Sequence, residues 1–148
     1  MKTTVRVEGL SELDDALQDL TRATQRNIIK RVLTAAGQPI ADDAQSRARW
    51  KSGTLEGSFG VSTKLSRRQK SKLKKESGVE VYAGPGALVQ AITEEFGTTN
   101  QSPHPMLRPA WDSGAKPALE SIKDDMWKEI KKAAERAARK ASRLLTKT

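Results

Sequence analysis

Residues 28–44 read IIKRVLTAAGQPIADDA. Ile28, Val32, Ala35 or Ala36, Ile40 and Ala44 recur at the three-to-four spacing of one helical face. Gly37 and Pro39 sit inside the pattern. Proline removes a backbone donor and crowds the preceding turn, so the spacing predicts a long helix kinked near Ala36 to Gln38. A helix of this length, with a narrow and mostly small apolar stripe, must lie against other elements. Its neighbours in sequence therefore decide the fold.

Upstream, Val5 and Val7 alternate within Thr3–Val7 and predict a short strand, ended by Gly9 and Leu10. Ser11 is a suitable N-cap with Asp14 three residues on, a capping-box spacing. Leu13, Leu17 and Leu20 then form one helical stripe. Downstream, Ser52-Gly53 ends the long helix. Leu55 to Lys64 reads as a strand with Phe59, Val61 and Thr63 on one face, and Val79 to Ala83 as a second. An antiparallel hairpin is the simplest pairing. Gly84-Pro85-Gly86 reads as a turn. Ala87 to Phe96 reads as a short helix or an irregular turn, with Leu88, Ala91, Ile92 and Glu95 at helical spacing and Gly97 ending it. Thr98 to Pro105 is a loop, and Pro109 suits the first position of a helix.

From Ala118 the period is strong again, through Leu119, Ile122, Met126, Ile130, Ala133, Ala137, Ala141 and Leu144. A helix over Pro117–Leu145 would be ~43 Å long. That exceeds the width of a small domain, so its end should project or pack on another chain. Ala133, Ala134, Ala137, Ala138 and Ala141 make a seam of small side chains there. Lys128, Lys132, Arg136, Arg139, Arg143 and Lys147 form a separate basic stripe. The reading is α+β: a long kinked N-terminal helix, a small antiparallel sheet with a hairpin, and a long C-terminal helix. It forms a single domain over 1–148, with its core over about 3–130 and a helical extension over 131–148.

Composition limits what such a domain can be. Of 148 residues, 28 are Leu, Ile, Val or Phe, and 18 are alanine. That is a thin core, of the kind neighbouring subunits complete. The net charge is +9, but it is uneven: residues 63–77 carry +6 and residues 116–148 carry +5, around a slightly acidic middle. Residues 64–77 read as a basic loop without period, with too little apolar surface to offset its own ordering entropy. Lys64, Arg67, Arg68, Lys70, Lys72, Lys74 and Lys75 are its candidate contacts to a polyanion or an acidic partner. The absence of cysteine excludes disulfides, thiolate zinc sites and a cysteine nucleophile. No apolar run reaches the ~18 residues of a membrane span, and Met1 to Leu10 has no apolar signal core, so a soluble protein is expected.

Catalytic motifs are not legible. Gly84-Pro85-Gly86 is not followed by a Gly-Lys-Ser/Thr, and Pro85 lacks an amide a phosphate cradle would use. His104 is the only histidine. Glu94-Glu95, Asp42-Asp43 and Asp124-Asp125 are adjacent pairs that a helix points apart. No serine sits in a nucleophile elbow. No enzyme and no cofactor are expected. A small basic nucleic-acid-binding protein is the alternative that the charge suggests. Against it stand 4% aromatics and no stacking platform or recognition helix.

Four stretches in order resemble one family. Gly53-Thr54-Leu55-Glu56-Gly57-Ser58 resembles a Gly-x-Leu-x-x-Ser signature. Glu95-Phe96-Gly97-Thr98 matches Glu-Phe-Gly-Thr. Pro105-Met106-Leu107-Arg108-Pro109-Ala110 resembles Pro-Phe-Leu-Arg-Pro-Ala, with Met106 in place of the usual Phe. Val7 to Leu13 fits the family's opening. The chain is thus similar to the tail-completion or neck proteins of long-tailed bacteriophages, often described as minor tail components, over residues 5 to 130. The family's Ala-Pro before its Thr-Gly is missing, where this chain has Arg49-Trp50-Lys51-Ser52-Gly53.

The resemblance implies a structural virion protein that completes the tail and joins it to the DNA-filled head, without catalysis. It implies a homo-oligomeric ring, of six copies, bounded by other neck and tail-terminator proteins, assembled in the host cytoplasm and with no membrane role. Six copies would raise the +6 segment to about +36 around a lumen through which DNA passes. Within the signatures, Gly53 can take positive φ, Leu55 anchors the strand, and Ser58 completes the first motif. Phe96 is expected to bury its ring, Gly97 to turn the chain and Thr98 to cap the segment after it. Pro105 and Pro109 stiffen the loop around Leu107, expected as the core plug. Arg108 is expected to form a bidentate pair with the Glu95 carboxylate.

Overall fold

The computed structural model describes residues 10–49 and 55–146, so the expected strand at Thr3–Val7 and the role of Gly53 fall outside the described residues. The element order is α1 (Leu10–Gln18), α2 (Arg22–Arg47), a short 3-10 turn (Glu56–Ser58), β1 (Phe59–Ser62), α3 (Arg67–Lys72), β2 (Tyr82–Pro85), α4 (Val89–Phe96) and α5 (Leu107–Leu145). The class is α+β, with two long helices and a two-stranded antiparallel sheet.

α2 begins where Thr21 caps it, its hydroxyl accepting from the Thr24 amide at 3.4 Å. It runs unbroken through Gly37 and Pro39. Outside the proline turn, Gln38 Nε2 donates to Asp42 Oδ1 at 2.8 Å, bridging it on the solvent side. Ile28, Val32, Ala36, Ile40 and Ala44 are all buried, four residues apart. Steps of four drift about 40° each on a helix of 3.6 residues per turn, so this row winds around α2. Its first end meets α1 and the far part of α5, where Leu13, Ile28, Val32, Met126 and Ile130 cluster. Its second end meets the start of α5, where Ile40, Ala44 and Ala110 cluster. α2 and α5 are therefore antiparallel.

The helices cross closely at Gly114. A Cβ there would lie 2.7 Å from Ile40 Cγ1. Arg31 of α2 pairs with Glu129 of α5, and Lys132 adds a second contact to the same carboxylate at 3.4 Å. The sheet packs on the flank of α2, with Val61 and Ala83 opposite each other in the ladder and both against Gly37. Phe59 bridges two clusters. One is with Ile40, Ala44 and Ala110; the other is with Ala48, Leu55, Ala91 and Met106.

Several boundaries differ from those the sequence suggests. α1 starts at Leu10, so Ser11 lies inside the helix. Its hydroxyl turns to the Glu12 carboxylate at 3.1 Å, and Asp14 accepts from Gln18 rather than closing a capping box. β1 is four residues long, because Glu56–Ser58 coil into the 3-10 turn that buries Leu55. β2 falls at Tyr82–Pro85, not Val79–Ala83. The Glu80 carboxylate accepts from the Glu76 and Ser77 amides at 2.7 and 3.0 Å and from the Tyr82 hydroxyl, and so curls 76–80 into a turn. Gly84 and Pro85 consequently end a strand instead of forming a turn, and the Gly86 amide extends the ladder to the Ser58 carbonyl at 3.1 Å.

α5 starts at Leu107 rather than Pro117 and has 39 residues, about 58 Å. Pro109 is its third residue, still within the first turn, where a missing amide proton breaks no helical bond. Ser113 and Gly114, which read as helix-weakening, serve contacts instead. Ser113 Oγ bonds the Pro109 carbonyl at 3.0 Å and the Asp43 carboxylate of α2 at 3.3 Å. From Lys131 onward, every residue through Thr146 except half-buried Ala133 is exposed.

Candidate functional site

The third signature folds around Glu95. Gly97 closes α4 with φ 75°, and a Cβ there would lie 2.8 Å from both the Gln101 carbonyl oxygen and the Pro103 nitrogen. Only glycine fits such a turn without strain. Thr98 caps no helix: it exchanges backbone bonds with Gln101 at 2.8 and 3.3 Å, and its hydroxyl accepts from the Asn100 amide at 3.3 Å. The His104 amide then donates to the Glu94 carbonyl at 2.6 Å, and its ring reaches the Arg47 carbonyl at 3.2 Å. Pro105 and the residues after it return over α4.

That return places three amides on one carboxylate. Glu95 Oε2 accepts from Met106 at 2.6 Å and Leu107 at 2.9 Å, and Oε1 accepts from Arg108 at 3.1 Å. These are orphan donors of the α5 N-terminus, satisfied by a side chain from another helix. Burial alone would raise the pKa of Glu95. The three amide bonds, with the Arg108 charge behind them, outweigh it and hold the carboxyl below its ordinary 4.5. The expected Glu95–Arg108 side-chain pair does not form. The carboxylate is saturated by amides already fixed in the backbone, and Arg108 contributes its own N–H.

Two further expectations are corrected. Met106, not Leu107, is the core plug: Met106 is completely buried, while Leu107 is half-buried. Phe96 does not bury its ring and is 69% exposed. Ala91 and Glu95, one turn apart on α4, face inward; Phe96 lies about 100° round and faces out. Val89 and Ile92 join it on that outer face.

The basic segment is not the period-free loop expected. Its middle is α3, nucleated by a capping box in which Ser66 Oγ accepts from the Gln69 amide at 3.3 Å and Gln69 Oε1 accepts from the Ser66 amide at 3.0 Å. No residue of α3 is buried. Arg67, Arg68, Lys70 and Lys72 lie on it, with Lys64 before and Lys74 and Lys75 after. None of the seven forms an ion pair among the described residues. Lys64, Arg68 and Lys72 line the same groove as Glu95 and Arg108; Arg67, Lys70, Lys74 and Lys75 do not.

Between α3, the sheet and α4 lies an open groove of about 670 Å³. Leu65, Leu73, Val89, Ile92 and Phe96 give it an apolar lining that the sequence reading missed. The signal was present: an eight-residue helix with Ala91 and Glu95 on one side and Val89, Ile92 and Phe96 on another has two faces to cover.

No metal-binding cluster of His, Asp or Glu occurs among the described residues, and no described helix is long and apolar enough to cross a membrane. What these residues present are a capped helix root, a basic α3, an apolar groove and a long helix with an exposed end. A family model described as bacteriophage HK97-gp10-like tail component matches residues 11–96, more than half of the chain. The chain belongs to this family of phage tail components, which places it in the virion among other phage structural proteins. The match runs from α1 through α4 and takes in the Gly53–Ser58 stretch. It ends at Phe96, inside the Glu95–Thr98 stretch, and stops short of Pro105–Ala110 and α5. No curated protein and no solved structure matches the chain significantly.

Proposed function

We propose that this chain is a non-catalytic structural subunit of the phage neck. In this reading it forms a homo-oligomeric ring, of six copies, that completes the tail and joins it to the filled head. Its neighbours are other neck and tail-terminator proteins, and the seven cations of residues 64–75 face either DNA in the lumen or an acidic neighbouring ring. Assembly takes place in the host cytoplasm.

The observation that carries the reading, beyond family membership, is a shortage of core. Among the described residues eight large apolar side chains are buried, and seven others are more than half exposed, among them Ile92, Phe96, Trp111, Leu144 and Leu145. Exposed apolar residues that cluster, as Val89, Ile92 and Phe96 do on α4, mark interaction surfaces. The test is deletion of the gene from the phage, followed by electron microscopy. Filled heads and unattached tails should accumulate, and the purified protein should restore joining and appear as rings in negative stain. Normal virions from the deletion phage would refute the proposal.

A further inference from the structure

We infer that the groove between α3 and α4 is a docking site for an acidic amphipathic helix of a different protein. The inference stands on the groove itself and does not require the ring.

The lining combines two properties. Val89, Ile92 and Phe96 sit at spacings of three and four on α4, more than half exposed, with Leu73 of the opposite wall also more than half exposed. An apolar helix face laid between two walls is the complement such a groove takes. Around these residues stand Lys64, Arg68, Lys72 and Arg108, and the sole carboxylate in the lining is Glu95. Glu95 is already engaged by three amides of α5. Four cations stand against that one carboxylate, so the lining is net cationic and selects an occupant with carboxylates beside its apolar stripe.

Among the described residues, the two segments closest to this description do not meet it. The exposed end of α5 belongs to a stretch of net charge +5, which the rim repels. α1 is acidic, but its Leu13 and Leu17 are already packed on α2 and α5. Nucleic acid would satisfy the cations and leave the Val89–Ile92–Phe96 stripe uncovered.

The probe is a fluorescein-labelled peptide of about 14 residues, with leucine at i, i+3, i+4 and i+7 and glutamate elsewhere, followed by anisotropy on the full chain. A permuted peptide of the same composition and a short DNA oligonucleotide serve as competitors. The patterned peptide should bind at least about tenfold more tightly than the permuted one. Ile92→Ser with Phe96→Ser should abolish that preference without changing the circular dichroism, since both side chains are exposed. Arg68→Glu with Lys72→Glu should weaken binding and flatten its salt dependence. Equal affinity for both peptides would overturn the inference, as would indifference to the Ile92/Phe96 change. DNA that binds more tightly and is lost in the same variant would assign the groove to nucleic acid. An oligomer that dissociates in the Ile92/Phe96 variant by light scattering would assign it to a second copy of the chain. Loss of head–tail joining has no bearing on these arms, so a failed neck assignment leaves them readable.

Discussion

Removing the Glu95 carboxylate should strip the α5 N-terminus of its acceptor and loosen α4 from α5. Three amides converge on it at 2.6–3.1 Å. A single capping acceptor contributes about 1 kcal/mol, and a hydrogen bond to a charged group about 1.5–3. Some of the amides can recover water, because Glu95 is only half-buried. Glu95→Ala should therefore cost about 2–4 kcal/mol, and Glu95→Gln, which keeps one acceptor oxygen, about half as much. The sign of the pH dependence comes from a carboxyl held below 4.5 in the fold. Its contribution is fully present above the unfolded pKa and is lost as pH falls through the folded one. Urea unfolding followed by circular dichroism, at pH 7 and again near pH 3, should show the gap between wild type and Glu95→Gln shrinking in acid. Comparison of the two proteins cancels Glu129 and Glu80, whose carboxyls are also held low, Glu129 first by Arg31 and Glu80 first by the Tyr82 hydroxyl. A gap that is the same at both pH values would refute the charged clamp. Arg108→Ala should cost under ~1 kcal/mol, since its amide bond survives and only a distant charge is lost.

The packing sets further expectations. Gly114→Ala should destabilise by about 1–3 kcal/mol, because its Cβ would meet Ile40 Cγ1 at 2.7 Å; in an Ile40→Ala background the same change should cost less, which a double-mutant cycle in urea would read. Met106→Ala should cost about 2–5 kcal/mol by the same assay, as a completely buried side chain in a cluster with Leu55 and Ala91. Truncation after Lys131 should leave the thermal melting midpoint within a few degrees, because among the described residues beyond it all but Ala133 are exposed, yet electron microscopy should show heads and tails unjoined.

The long helices are legible in the sequence because the period of their apolar residues is repeated many times over. The Ile28–Ala44 row appears in the structure as the winding contact of α2 with α5. The start of α5 is not legible. Ser113, Gly114 and Pro117 read locally as helix breakers, but a carboxylate from α4 and the close passage of Ile40 set the helix from outside its own sequence. Likewise the second strand is displaced by Glu80, whose carboxylate gathers amides in a way no alternation reveals. At the site, the identity of Glu95 is readable but not its partner: opposite charge points to the Arg108 guanidinium, and the free amides of a helix end carry no sequence signal. For α3 the Ser66–Gln69 capping spacing is visible, but with no apolar face there is no period to support it. For Phe96, the sequence marks a large ring near a turn and does not say which side of a short helix faces in.

The Glu95 clamp also has a mechanical meaning. One carboxylate of α4 caps α5, so the wall of the groove and the root of a rod about 58 Å long are fastened together there, beside the packing of Met106 on Ala91. α2 grips the first part of its length, and from Lys131 through Thr146 it is exposed apart from Ala133. A load on that exposed stretch is borne first by Met126 and Ile130 where they pack on α2, before it reaches the Glu95 cap.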